Sequence, residues 1–150
     1  MKKIIALGII ALSLAGTASA QVKPEEQIKY RQAGYSFMSW NMGKIKANLD
    51  GTFNKDQVIA AANLVAATAN SGMGALFAPG TAKDLGNEKT RVKPEFFTQP
   101  EKVREVAMAF NKEANELAKV AATGDVNAIK AQFGKTGGTC KGCHDAFRKD

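Results

Sequence analysis

Apolar residues recur along this chain at helical spacing in four separate stretches. From Pro24 to about Leu49 the inward positions are Ile28, Arg31, Tyr35, Met38, Met42, Ile45 and Leu49, in alternating steps of three and four. That is the a/d seam of a helix packed nearly parallel to its neighbours, with Arg31 and Tyr35 as polar members. Pro24-Glu25-Glu26 suits a helix start, Gly51 is placed to end the helix, and Asn54 with Gln57 forms a capping box for the next. The second helix, about Lys55 to Phe77, presents Val58, Ala62, Val65, Ala69, Met73 and Leu76, with enough alanine to let another helix approach closely. Residues 79–98 carry Gly80, Gly86, Pro94 and many charges without a sustained period, so they form one long connection, pinned onto the helices by Phe96-Phe97.

A third helix starts near Gln99-Pro100-Glu101, where Thr98 and Glu101 match a capping box. Its stripe is Val103, Val106, Phe110, Ala114, Leu117 and Ala121. Thr123-Gly124-Asp125 ends it and caps the fourth, which runs from Val126 to about Arg148 with Ile129, Phe133, Thr136, Cys140, His144 and Phe147 on one face. Gly134, Gly137 and Gly138 are costly inside a helix; they mark either a break or room for a flat group against the backbone. Two short connections and one crossover make this an all-α chain, an antiparallel four-helix bundle, with no strand pattern and no internal repeat.

The first 20 residues stand apart. Met1-Lys2-Lys3, an apolar run from Ile4 to Leu14 and Ala18-Ser19-Ala20 read as a secretory signal peptide cut before Gln21, leaving one domain over residues 21–150. No later run approaches the length of a membrane span. The whole chain has a formal charge of +7; without the leader it holds 19 basic and 14 acidic residues, a formal +5. Basic and acidic residues are interleaved rather than blocked, so nucleic acid and membrane surfaces are not expected partners.

Chemistry concentrates in Cys140-Lys141-Gly142-Cys143-His144, a C-x-x-C-H motif. Two thiols at this spacing add across the vinyl groups of a haem, and the adjacent imidazole reaches the iron, so the motif signals covalent haem c. On a helix all three side chains share one surface. The competing readings are a redox dithiol, half of a zinc site and a structural disulfide. With 2 Cys and 1 His in the chain, a four-ligand zinc site lacks its fourth sulfur or nitrogen, and a disulfide closing so small a loop adds little stability.

A C-terminal C-x-x-C-H on the last of four helices, with Lys29-Tyr30-Arg31-Gln32 in the first helix, Phe77-Ala78-Pro79-Gly80-Thr81 closing the second and Phe147-Arg148 after the motif, resembles the cytochrome c′ family, the class II c-type cytochromes. The likeness spans residues 21–150 and implies site roles. His144 is the proximal axial ligand and, as the sole histidine, leaves no bis-histidine arrangement. Arg148 lies near its imidazole, although a cation also suits a helix C-terminus. Arg31 pairs with a haem propionate beside Gln32, Tyr35 faces the open side of the iron, and Phe77 packs on that distal face or simply in the core.

Relatives with methionine at the Tyr35 position resemble six-coordinate electron carriers, whereas a neutral phenol is a poor ligand for ferrous iron. Met38 and Met42 do not match the family's ligand position and read as core filler. The resemblance therefore implies a periplasmic protein with five-coordinate iron that binds NO and CO without catalysing a reaction. Electron transfer with a periplasmic redox partner is the alternative, and an exported helical protein with a bare dithiol is the third reading. A homodimer through the first two helices fits the extra apolar residues Phe37 and Trp40.

Overall fold

The computed structural model describes residues 22–150; the expected leader and its cleavage site lie outside them. Four long helices carry the fold: α1 (Pro24–Asp50), α2 (Lys55–Asn70), α4 (Pro100–Thr123) and α5 (Val126–Phe147). A single turn, α3 (Glu95–Thr98), sits in the connection before α4. No strand forms among the described residues beyond two isolated bridges, Leu85 with Glu88 and Val92 with Arg148. α1 packs along α2, α2 along α4 and α4 along α5, the antiparallel four-helix bundle expected from the periodicity.

The termini follow local chemistry. Asn54 Oδ1 accepts from Gln57 N at 3.0 Å and Asp125 Oδ1 accepts from Asn127 N and Ala128 N at 2.9 and 3.0 Å, each satisfying orphan donors of a first turn. Gly124, at φ 80°, closes α4 in the left-handed region that a side chain resists. Three expectations need correction. α2 stops at Asn70, not Phe77: Gly72 turns left-handed at φ 78°, and Met73–Leu76 continues only as a 3-10 turn. The Thr98–Glu101 box does not form, because Thr98 ends α3 and its hydroxyl donates to Glu95 O at 3.4 Å, leaving Gln99 as the uncapped start of α4. The Asn54–Gln57 box is one-sided, since Asn48 Oδ1 takes the Asn54 N–H.

The dry core fills one end of the bundle. Ile45, Val58, Ala61, Ala62, Leu117, Ala121 and Ile129 are fully buried together, with Met42, Leu49 and Phe133 packed against them. Met38, Val65 and Ala114 extend this core toward the middle. At the other end the stripe positions stay partly or wholly uncovered: Tyr35, Val103, Val106, Cys140 and His144. α5 runs unbroken through Gly134, Gly137 and Gly138, so these glycines do not interrupt the helix.

Candidate haem site

α1 and α5 scarcely meet, so the bundle is open along that edge. Residues 71–99 strap the opening at the end away from the core. On the α1 side, Arg31 is 2% exposed and its guanidinium donates to Leu76 O (3.2 Å), Thr81 Oγ1 (2.7 Å), Thr81 O (2.6 Å) and Thr90 Oγ1 (2.7 Å). Four of its five N–H donors are thereby used, leaving Nε. Gln27 accepts from Ala78 N at 3.2 Å, and Gln32 donates to Lys89 O. On the α5 side, Lys93 N donates to Phe147 O at 2.8 Å, Lys149 N to Arg91 O at 2.7 Å and Lys93 Nζ to Asp145 O at 3.0 Å.

Between these anchors lie Tyr35 on α1 and the Cys140–His144 turn on α5. Tyr35 is 39% exposed over the whole residue, but its hydroxyl end is buried and its pKa is pushed up to about 12, chiefly by that burial, then by Cys143, with Arg31 opposing and Cys140 adding. Tyr35 is thus a neutral phenol at ordinary pH. Its ring meets Phe77 edge-on at 6.4 Å, while Arg31 lies 4.6 Å over the Phe77 ring. Burial lowers the Arg31 pKa, with Tyr35 opposing, yet a guanidinium keeps its charge at any accessible pH.

On the other flank, burial, then Arg148 and Arg91, hold the His144 pKa below the ordinary value, with Asp145 opposing. Arg148 Nη1 lies 3.3 Å from His144 Nδ1. The imidazole is kept neutral, the form a metal needs. Cys140 and Cys143 are free and half-buried, and burial raises both thiol pKa values.

These residues fit a covalent haem. The donor set is two unpaired thiols three apart with a neutral imidazole directly after the second. On the same helix Gly137 lies about 60° round from Cys140, and nothing lies within 4 Å of where its Cβ would stand, so the flank beside the motif is open there. Among the described residues no group of three or more His, Cys, Asp or Glu could hold a metal ion, which leaves the zinc reading without further ligands.

The structure thus brings Arg31, Tyr35, Phe77, Cys140, Cys143, His144 and Arg148 to one end of the bundle, while Gln32 is exposed and engaged with the strap. Arg31 faces carbonyl and hydroxyl oxygens, not a carboxylate of this chain. Met38 and Met42 lie in the core clusters. Sequence reasoning gave Phe96 only the task of pinning the connection onto the helices and not a place at the site, yet it stacks on Phe77 at 4.4 Å and meets Phe147 edge-on at 5.5 Å. Its signal was only its place in an aromatic pair inside an otherwise polar connection.

A C-x-x-C-H turn at the end of the last of four bundled helices defines a class, the four-helix-bundle proteins that carry a covalent c-type haem. The profile of the family described as Cytochrome C′ matches residues 26–148. Cytochrome c′ of Allochromatium vinosum is 59% identical over 144 residues, covering 95% of this chain and 94% of its own. The solved cytochrome c′ of Thermochromatium tepidum superposes with a TM-score of 0.85 at 59% identity, over 87% of this chain and all (100%) of its own. A second solved cytochrome c′, described as having an unusual ligand-controlled dimer dissociation, gives 0.86 at 60% identity over the same shares, 87% and 100%. This chain belongs to the cytochrome c′ family, whose members bind c-type haem.

Proposed function

We propose that this chain is a periplasmic haem protein whose five-coordinate iron reversibly binds small neutral gases, with sequestration or detoxification of NO as its role and CO as a convenient probe. The observation that carries this reading is Tyr35 on α1, edge-on to Phe77 at 6.4 Å and held as a neutral phenol by burial, a group that is a poor ligand for ferrous iron. In this reading Cys140 and Cys143 tether the haem as thioethers and His144 supplies the proximal imidazole, kept neutral by burial and then by Arg148 and Arg91. The haem supplies a ferrous iron with one coordination position for a diatomic gas. Tyr35 covers that position against water and anions and yields to a small neutral ligand. The remaining Nε of Arg31, with Gln32 beside it, serves the propionates, and Phe77 supports Tyr35 from the side.

Met38 and Met42, held in the core, support an iron without a sulfur ligand. No catalytic turnover belongs to this reading, since no proton-transfer group besides Tyr35 is assigned to the distal face. The amino-terminal leader supports export to the periplasm. Phe37 and Trp40, 52% and 58% exposed and stacked at 5.6 Å on the outside of α1, support a homodimer in which a second copy covers that face. Because Tyr35 stands on the same helix, gas binding is expected to perturb the dimer; one relative is described as having a ligand-controlled dimer dissociation. Equal sedimentation of the ferrous protein with and without CO would refute that link.

The test of the main reading is the optical spectrum of the periplasmically matured protein, oxidised and reduced, before and after CO. A broad high-spin ferrous spectrum that changes with CO is expected. Sharp, split low-spin bands indifferent to CO would overturn the reading in favour of the electron carrier, for which Arg91, Lys93, Arg148 and Lys149 around His144, outnumbering Asp145 and Asp150 in the same patch, offer a surface for an acidic redox partner.

A further inference from the structure

The strap joins the two flanks of the haem site through one side chain. Phe96, in α3, stacks on Phe77 at 4.4 Å with 21° between the ring planes. Phe77 in turn presents its ring to the edge of Tyr35. On its other side Phe96 meets Phe147 at 5.5 Å and 79°, and Phe147 is buried three residues after His144, on the same helical face. The backbone around Phe96 is fixed at the same two places: Arg31 and Gln32 hold residues 81–90 to α1, and Lys93 N to Phe147 O holds the next segment to the last turn of α5.

We propose that Phe96 is a positioning residue that sets the resting place of Tyr35 on one flank of the haem and the orientation of the His144 turn on the other. The proposal rests on the gas-binding reading, for which Tyr35 is the gate. An aromatic pair holds its geometry because offset stacks and edge contacts are preferred to other arrangements. With Phe96 in place, Phe77 is clamped between the Arg31 guanidinium and a stacked ring, and Tyr35 has a firm edge to rest against. Without it, Phe77 loses one wall and Tyr35 leaves its resting place more easily. The Phe147 ring also loses its partner, which frees the last turn of α5 and with it the imidazole plane.

Phe97 provides the control. It touches Phe96 at 5.4 Å, lies in the same turn and is half-buried, but makes no aromatic contact with Phe77 or Phe147. Matured, haem-loaded F96A, F96L and F97A are compared with wild type by CO association after flash photolysis and by the iron–imidazole stretch of the CO-free ferrous protein. Loss of one aromatic contact predicts CO association about two- to tenfold faster in F96A. A shifted iron–imidazole band should accompany it, F96L should lie between, and F97A should match wild type in both. Merely structural loosening of the strap would move F96A and F97A alike, and that result overturns the proposal. A wild-type protein that ignores CO sinks the gas-binding reading and the proposal together; a CO-binding wild type with F96A unchanged sinks the proposal alone.

Discussion

Replacing Arg31 with methionine removes the most densely bonded side chain of the site end. Its guanidinium makes four hydrogen bonds to neutral oxygens of residues 76–90, all 3.2 Å or shorter. Hydrogen bonds to a charged group contribute about 1.5–3 kcal/mol each, a gross of about 6–12 kcal/mol. Against this stands the cost of burying the charge, several kcal/mol after relaxation, which methionine does not incur. The difference, about 3–5 kcal/mol, is the expected loss, and it falls on the strap because every acceptor belongs to it. For a matured domain of this size the melting temperature should drop by roughly 11–18 °C. Far-UV circular dichroism during thermal and urea unfolding of the haem-loaded protein measures it. Arg31→Lys keeps the charge but cannot fork to four acceptors, so it should recover less than half of the loss. A methionine variant within about 1 kcal/mol of wild type would refute the reasoning, because the bonds would then merely replace those to water.

Tyr35 predicts a pH dependence of known sign. Its folded pKa, about 12, lies above the ordinary 10.0, so between these values the unfolded chain loses a proton that the folded one keeps, and stability falls as pH rises from 10 toward 12. Thioether formation removes the two cysteine contributions and leaves burial, the largest, so the direction survives haem attachment; alkaline unfolding curves in which Y35F shows the same decline as wild type would refute it. Gly34 makes a local test of packing. A Cβ there would stand 2.9 Å from Met73 Cε and 3.1 Å from Sδ, so the helix propensity gained by G34A, about 1 kcal/mol, should be largely cancelled in wild type and appear in an M73A background. Equal effects in both backgrounds by urea denaturation would show that the methionine moves aside freely.

Much of this was legible because the seam positions also carry the chemistry. The alternating steps of α1 placed Ile28, Arg31, Met38 and Ile45 inside, and all four are buried. The end of α2 was not legible for a physical reason. In a 3-10 turn residues three apart share a face, so Met73 and Leu76 prolong the apolar stripe after the α-helix has stopped at Asn70. Arg31 was read as needing an anion, yet its oxygens come from residues 45 to 59 positions away, a long-range meeting that periodicity cannot encode. Tyr35 followed the seam but remains 39% exposed, because the seam predicts which face turns inward and not whether another helix arrives to cover it.

The glycines of α5 have a consequence for the chain before it receives its cofactor. Gly134, Gly137, Gly138 and Gly142 together weaken that helix by about 4 kcal/mol relative to alanine, and the half they occupy lies away from the dry core. A chain whose thiols have received their cofactor holds this half closed by three covalent or coordinate links. In one that has not, this half is expected to open more often, so the chain without cofactor should be cleaved faster by an added protease than the haem-loaded one. The glycines thereby tie the closure of this half to the arrival of the cofactor.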